Sequence, residues 1–531
     1  MSDTPLFAAM FDCSRNAVMK VETVKSFARI IKSFGYNAML LYTEDTYEIE
    51  GEPYFGYMRG RYSKEELKEL DKYCMDIGIE LIPCIQTLAH LNQMFRWPSY
   101  EAIHENKDIL LPEEERTYEL IEKMFQTCRE CFHSDRIHIG MDEADVGRGK
   151  YLDKHGYVPR KEIIAKHLQK VLAISNKYGY KPMMWSDMFF GNVFMSELTE
   201  EQKKMVPDNV DMVYWDYYFQ DEKHYMAQIK NHKKVPNRTI FAGGLWSWLG
   251  FAPANQYALN RTKAALKACH QGGIKDIIMT LWKDNGGECS FYSLLPSLFA
   301  ARKFYEGEYN IPKMREEFNA LTKENWQDFF LLDKLNSFHF KRYIDPANVA
   351  KWSTYEDPLF HMFYDHVDTN LEKDWKTLAR KLKNAAKRSQ NYSYIYLEGE
   401  ALANFLSVKY GLAKKLYDAY QTHNKENLKA LLPSFDKAEK LLKKFYETFR
   451  TLWYAENKGS GFEIQDARLG GLNYRLEDVK RIVSDYIDGK IDKIEELEDK
   501  KPLDINGKET VDPAEDCGFY TYALNMSVNA Y

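Results

Sequence analysis

The spacing of short apolar runs constrains the fold of this chain more than any other feature. Between residues 6 and 305, apolar runs alternate with stretches patterned as amphipathic helices. The runs cover residues 6–12, 38–44, 80–86, 136–142, 181–187, 212–218, 239–246 and 277–284. Continuous apolar strands that alternate with helices indicate a parallel sheet covered on both faces. Eight of them within one segment predict a closed, eight-stranded α/β barrel rather than an open sheet.

Polar and aromatic residues stand at the ends of seven of these runs. The ends read TED, QTLAH, MDE, WSD, WDYY, WSW and WKD. In a (β/α) barrel the active site lies at the C-terminal ends of the strands, where loops from different strands meet. The sequence therefore predicts that these residues surround a single pocket.

The pattern changes after residue 312. Strand signals end, and long charged helical patterns run from about residue 366 to 500. We predict two domains, a catalytic (β/α)8 barrel over residues 1–312 and a helical C-terminal domain over residues 313–531.

Composition and charge exclude several classes of protein. The net charge of −6 comes without a dominant basic stripe, which argues against nucleic acid as a partner. No apolar stretch approaches the roughly 18 residues that span a bilayer. The first residues lack the pattern of a secretory signal, and the eight scattered cysteines are typical of reduced thiols, so we expect a cytoplasmic protein. The 15% aromatic content fits a sugar site and an aromatic core equally well.

The segment HIGMDEAD (138–145) places two carboxylates, Asp142 and Glu143, at the end of the fourth predicted strand. Held close together in a partly desolvated site, they should titrate apart, one ionised and one protonated near neutral pH. Acetal cleavage requires such a division between a proton donor and a group that stabilises positive charge. Two alternatives stay open at this point: the pair could merely start a loop or cap a helix, or it could bind a metal together with His138 and Asp145.

The same segment resembles the signature of glycoside hydrolase family 20, the β-N-acetylhexosaminidases, which typically read His-x-Gly-Gly-Asp-Glu at this strand. Here Met141 replaces the second glycine. MFDCSRN (10–16), LLYTED (40–45), IPCIQTLAHL (82–91) and the later MMWSDM, VYWDY and LWKD are similar to other strands of that family. The likeness is greatest to its compact, hexosaminidase D-like branch. Residues 461–499 also resemble the helical tail of that branch.

This resemblance implies an exo-acting, retaining enzyme without cofactor or metal, whose substrate is an oligosaccharide or glycoconjugate with a terminal N-acetylhexosamine. The substrate's own acetamido oxygen would attack the anomeric carbon and form an oxazolinium intermediate, an exception to the two-carboxylate scheme. Glu143 would act as general acid and then base. Asp142 would orient the acetamido N–H and stabilise its developing charge.

The resemblance also implies substrate-binding roles for residues at other strand ends. His90 would orient Glu143 or contact the sugar, Tyr217 would donate to the acetamide oxygen, and Asp45 and Asp284 would bind sugar hydroxyls. The pocket walls would be formed by tryptophans, namely Trp185, Trp215, Trp248 and Trp282. Each of these residues has an ordinary structural alternative, such as a core position or a loop cap.

Two departures from the family pattern affect specificity. Phe7 stands where the family has an arginine that grips the outer hydroxyls, and Arg15 is our candidate substitute. Trp246 and Trp248 occupy the seventh strand end, where a tyrosine and an aspartate are usual, so the acetamide donor is open.

Three further expectations complete the sequence-based hypothesis. The C-terminal domain should support the barrel or a homo-oligomer interface, and glycines in residues 461–471 could form a loop that brings Arg468 to a pocket. The rival enzyme is a two-carboxylate barrel glycosidase that acts on a sugar without the acetamide. The rival from another class is a catalytically silent sugar-binding protein.

Overall fold

The computed structural model describes residues 4–191, 198–248, 250–337, 349–359 and 367–499. Eight parallel strands close into a barrel in which each strand pairs with the next and the last pairs with the first. In chain order, β1 to β8 are Phe7–Asp12, Ala38–Thr43, Glu80–Ile85, Arg136–His138, Lys181–Trp185, Asp211–Trp215, Thr239–Gly244 and Ile277–Leu281. The predicted barrel is confirmed, and each of the eight strands begins within one residue of the start of a predicted apolar run.

Burial explains why the strand sequences are continuously apolar. Every residue of β1, β2, β7 and β8 is buried, since one face of each strand points into the barrel and the other lies under helices. The barrel closes where Phe7 of β1 pairs with Ile277 of β8.

The fourth strand is shorter than predicted. It ends at His138, and its single register pair with β3 is Cys84 with His138. Gly140 and Met141 then adopt left-handed backbone conformations with φ of 70° and 75°, which no strand can contain. Asp142 and Glu143 therefore lie in a turn after β4 and not on the strand itself.

Helices cover the barrel and make up most of the described C-terminal part. Helices α1 to α11 are Val21–Ser33, Lys64–Asp76, Asn92–Phe95, Glu115–Cys131, Lys150–His155, Arg160–Lys177, Asp187–Phe190, Glu200–Met205, Glu222–His232, Asn255–Gly272 and Leu295–Tyr305. Helices α12 to α20 are Ile311–Thr322, Trp326–Ser337, Val349–Tyr355, Glu372–Arg388, Ser393–Lys409, Leu412–Gln421, Lys425–Glu456, Phe462–Ile487 and Glu495–Glu498. Short 3-10 turns lie at Pro98–Ile103, Asp284–Gly286, Phe291–Leu294 and Thr369–Leu371, and a small hairpin pairs His104–Asn106 with Ile109–Leu110.

The helical C-terminal region is also confirmed over its described residues, while residues 500–531 lie outside them. Helix α12 spans the predicted boundary at 312/313, so the exact division stays a prediction. None of the helices that the structure describes is long and apolar enough to cross a membrane.

The C-terminal helices pack directly on the barrel. The ring of Phe251, in the loop after β7, lies edge-on to Phe445 and Phe449 of α18, with centroids 5.1 and 5.7 Å apart. Met19, after β1, forms an antiparallel bridge with Asn457, and Lys458 N donates to Val18 O at 2.8 Å. The loops after β1 and β7 thus connect the strands of the barrel and also contact the C-terminal helices.

Candidate active site

The turn that carries the carboxylate pair is folded onto the end of β3. Gln86 Oε1 accepts from Met141 N at 3.0 Å, and Gln86 Nε2 donates to Asp142 Oδ1 at 2.7 Å. A Cβ on Gly140 would lie 2.1 Å from Gln86 Oε1, so only glycine allows this approach. Glu143 follows with φ of 51°. Gln86 was not among the predicted site residues, although it stands in the strand end QTLAH.

His90 lies between the two carboxylates. Its Nε2 is 3.2 Å from Asp142 Oδ2 and 3.8 Å from Glu143 Oε2. His90 has φ of 59°, and its backbone N–H donates to Asp108 Oδ2 at 3.1 Å, which holds this unusual conformation. The predicted proximity of His90 to the pair is therefore present in the structure.

The three groups have clearly different pKa values. Burial raises the pKa of Asp142, but His90 and the hydrogen bond from Gln86 outweigh burial and hold it below its usual range. Burial and the neighbouring Asp142 charge raise the pKa of Glu143. Burial lowers the pKa of His90, but the Asp142 charge reverses this and raises it to about 9. At neutral pH, Asp142 is ionised beside a protonated imidazole, and Glu143 retains its proton more readily than an ordinary glutamate.

Asp187 is a second residue that the sequence reasoning missed. Its Oδ2 accepts from Glu143 N at 2.9 Å, and its Oδ1 accepts from Trp215 Nε1 at 3.2 Å. Burial and the charge of Asp142 raise the pKa of Asp187 to about 7. Asp187 ends the predicted run WSD, so its position was the available signal. It fixes the backbone of Glu143 relative to one wall of the pocket.

The guanidinium group of Arg15 contacts three other side chains at the site. Its Nε donates to Glu44 Oε1 and its Nη1 to Asp284 Oδ1, both at 2.8 Å, and its Nη2 is 3.3 Å from His90 Nδ1. Phe7, by contrast, is buried in β1 against the rings of Tyr36 and Tyr305. The guanidinium group of Arg15 thus reaches the pocket that Phe7 cannot reach.

Tyr217 lies over the end of β7. A Cβ on Gly244 would come within 2.7 Å of its ring, so the missing side chain of that glycine makes room for it. The Tyr217 hydroxyl accepts from Trp282 Nε1 at 3.1 Å. Nearby, the indole N–H of Trp185 is buried and has no hydrogen-bond partner among the described residues. Tyr217, Trp185 and Trp282 thus form an aromatic wall of the pocket, in which the N–H of Trp185 is the unsatisfied donor.

These side chains enclose one cavity of about 200 Å³. Ten of the eleven predicted site residues line it together with Tyr218, which was not predicted. They are Arg15, His90, Asp142, Glu143, Trp185, Trp215, Tyr217, Trp248, Trp282 and Asp284.

Asp45 is the predicted residue that does not line this cavity. Its carboxylate is buried, and Arg59 donates to it from Nε at 3.2 Å and from Nη2 at 3.1 Å. Both bonds go to Asp45 Oδ1 and hold the loop after β2, so contact of Asp45 with sugar stays a prediction.

The alternative metal ligands do not converge. His138 Nδ1 accepts from Gly140 N at 3.1 Å, and its ring packs on Trp185 with centroids 4.3 Å apart. Asp145 forms an ion pair with Arg160. In the part of the chain that the structure describes, no three His, Cys, Asp or Glu side chains are grouped as metal ligands.

A larger cleft of about 970 Å³ adjoins the cavity and shares Glu143 with it, while Asp187 lines only the larger cleft. Glu143 therefore stands between the smaller cavity and a wider space.

Comparison with known proteins gives consistent matches for both parts of the chain. Residues 41–241 match the family model described as the catalytic domain of glycosyl hydrolase family 20, and residues 327–516 match the glycoside hydrolase 20C C-terminal domain. Hexosaminidase D of Bos taurus is 23% identical over 269 residues, which cover 47% of this chain and 72% of the bovine protein. Hexosaminidase D of Homo sapiens is 25% identical over 216 residues, covering 38% of this chain but only 43% of the human protein. A crystal structure of a family 20 exo-β-N-acetylglucosaminidase from Vibrio harveyi, with N-acetylglucosamine bound, is 17% identical with a TM-score of 0.47, covering 60% of this chain and 58% of that one.

Proposed function

Since this chain belongs to glycoside hydrolase family 20, we propose that it is an exo-acting, retaining β-N-acetylhexosaminidase that uses the acetamido group of its substrate as nucleophile. The main observation behind the proposal is the pair of carboxylates in one aromatic cavity. The pKa of Asp142 is lowered and that of Glu143 is raised.

Glu143 is proposed as the general acid and then the general base. Its raised pKa makes Glu143 hold its proton to a higher pH than an ordinary glutamate does, as a donor to the leaving oxygen requires. The hydrogen bond from Glu143 N to Asp187 fixes the start of the side chain, and the open cleft beyond it has room for the leaving group.

Asp142 is proposed to orient the acetamido N–H and to stabilise the positive charge that develops on the nitrogen. Asp142 is 8% exposed, and its carboxylate is held by Gln86 and His90, so little reorganisation is needed when charge appears. Two carboxylates with pKa values displaced in opposite directions are the arrangement that separates these two roles.

The rest of the cavity is proposed to bind a single sugar residue. Trp185, Trp248 and Trp282 would surround the acetamido methyl and the sugar face, because apolar C–H faces pack well on aromatic rings. The hydroxyl of Tyr217 or the unpaired N–H of Trp185 would donate to the acetamide oxygen. Arg15 and Asp284 would bind the outer hydroxyls.

A substrate panel tests the reaction class. We expect release of chromophore from β-GlcNAc or β-GalNAc aryl glycosides and none from the matching β-glucoside, which lacks the acetamide. Successive fluorination of the acetamido methyl weakens the carbonyl oxygen as a nucleophile, so kcat should fall steadily along that series. Equal turnover of the β-glucoside would support the two-carboxylate alternative, and no turnover of any substrate would support the silent binding protein.

Replacement of the proposed acid tests the assignment of roles. Glu143→Gln should nearly abolish turnover of substrates with poor leaving groups and should affect activated aryl glycosides much less, because a good leaving group needs little protonation. Glu162→Gln is the matched control, since Glu162 is an exposed glutamate on the adjoining cleft. Equal losses on both substrate types would contradict Glu143 as the acid.

A cytoplasmic location and a homo-oligomeric state stay predictions from the sequence.

A further inference from the structure

The turn after β8 lies between the barrel and the C-terminal region. It runs from Asp284 to Gly287, and Asp284 lines the cavity. Lys283 N, just before it, donates to Asp12 Oδ2 at 3.0 Å, which ties the turn to the end of β1. Gly286 and Gly287 follow with φ of 120° and 65°, both in the region that favours glycine.

One side of this turn is held by helix α19. Gln465 Nε2 donates to Gly286 O at 3.0 Å, and the Gln465 side chain is fully buried. A Cβ on Gly286 would lie 2.6 Å from Arg468 Nη1 and 3.2 Å from Gln465 Nε2. The two side chains therefore lie directly against the backbone of the turn.

The sequence-based expectation of a loop at residues 461–471 is wrong, because Phe462–Ile487 is one helix. Arg468 is fully buried, and its Nη1 is 3.0 Å from Glu288 Oε1. Lys351 Nζ reaches the other oxygen, Glu288 Oε2, at 2.6 Å. Arg468 is thus a fixed internal group and does not border the cavity.

The other side of the turn is held by the loop after β1. A Cβ on Gly287 would lie 2.7 Å from Ala17 Cβ and 3.2 Å from Arg15 O. Asn16 Nδ2 donates to Gly461 O at 2.8 Å, at the N-terminal end of α19. The loop that carries Arg15 and the turn that carries Asp284 are therefore both tied to the start of one C-terminal helix.

We infer that Gln465 and Arg468 are positioning residues, which hold the Arg15–Asp284 pair in the geometry that binds the hydroxyls of the terminal sugar. The inference rests on the proposed function in assigning a sugar to that pair. It makes the C-terminal domain a part of the substrate site, although none of its side chains lines the cavity among the described residues.

Gln465→Met tests the inference, because methionine keeps the length of the side chain and removes the shorter of two hydrogen bonds to Gly286 O, leaving the one from Asn16 Nδ2 at 3.4 Å. We expect faster hydrogen exchange in peptides covering residues 283–289 and 12–18, with the remaining peptides unchanged. With a β-GlcNAc aryl glycoside, KM should rise roughly three- to tenfold, the factor expected for one lost hydrogen bond, while kcat stays within about twofold.

Arg475→Met is the matched control. Arg475 lies on the same helix and pairs with Asp357 at 2.7 Å and Asp478 at 3.1 Å, away from the turn. It should leave KM and the exchange of both peptides unchanged, and thermal unfolding of each variant reports any general loss of stability. Equal effects of both variants would show a merely structural role and overturn the inference.

The two readouts separate this inference from the proposed function. If the wild-type protein releases no N-acetylhexosamine, the proposed function fails, and hydrogen exchange still decides whether Gln465 holds the turn. Faster exchange without a rise in KM, or unchanged exchange in Gln465→Met, would overturn the inference even if the enzyme is an active hexosaminidase.

Discussion

Removal of the Asp142 carboxylate should lower the pKa of His90 sharply. In the folded protein the carboxylate next to the imidazole raises this pKa from 6.5 to about 9, against the effect of burial. Such a rise corresponds to about 3 kcal/mol of attraction, since a tenfold change in proton affinity is worth about 1.4 kcal/mol. In Asp142→Asn, burial and the positive charge of Arg15 lower the pKa of His90, and the charge of Glu44, the smallest of these influences, raises it.

The assay is NMR of protein labelled with ¹³C-histidine, with the His90 signal assigned by its loss in His90→Gln. We expect titration near pH 9 in the wild-type protein and below 6.5 in Asp142→Asn. His138, whose pKa burial lowers to about 3, is an internal reference that should not titrate above pH 5 in either protein. A His90 signal that titrates near 6.5 in the wild type, or at the same pH in both proteins, would refute the reasoning.

The same coupling predicts the pH dependence of stability. Because the folded-state pKa of His90 is higher than its unfolded value, the stabilisation is fully present below pH 6.5 and is lost as pH rises through about 9. The difference in unfolding temperature between the wild type and Asp142→Asn should therefore be larger at pH 6 than at pH 9.5.

Asp142→Asn and two more substitutions have further expected outcomes. Asp142→Asn should lower kcat about a hundredfold or more and change KM much less, since its interaction belongs mainly to the transition state, and loss of affinity alone would contradict this role. Asp187→Ala should lower kcat roughly tenfold on aryl glycosides, because a buried acceptor of two hydrogen bonds is lost, and unchanged kcat would make it a passive core residue. Gly286→Ala should lower the free energy of unfolding by about 2 kcal/mol, since its Cβ meets Arg468 at a φ of 120°. The control Gly156→Ala also has a positive φ but meets nothing within 4 Å, so calorimetry should show a smaller loss.

The positions of the eleven predicted site residues in the structure show how much of the site can be predicted from local sequence. Ten of them line one cavity because each stands at the end of a barrel strand or in the loop that follows it, and the closed barrel brings those ends together. Asp45 stands at a strand end as well, yet Arg59 holds it away. Strand position alone does not tell whether a carboxylate faces a pocket or pairs with a cation.

The roles of Gln86 and Asp187 could not be predicted from their positions in the sequence. Both stand in strand ends that were recognised as polar, but their roles come from hydrogen bonds to Asp142 and Glu143, about 50 residues away in the chain. The left-handed backbone at Met141, which moves the pair off β4, also depends on Gln86 accepting from Met141 N.

The sequence by itself determined the barrel, the helical C-terminal region and the carboxylate pair. The periodicity of apolar residues is a local property that specifies strands and helices, and eight alternating strands permit few arrangements other than a closed barrel. Only the tertiary structure decided that residues 462–471 belong to helix α19 and that Gln465 holds the turn of Asp284. That contact joins residues 179 positions apart, and no local pattern encodes a hydrogen bond whose geometry exists only after both parts have packed.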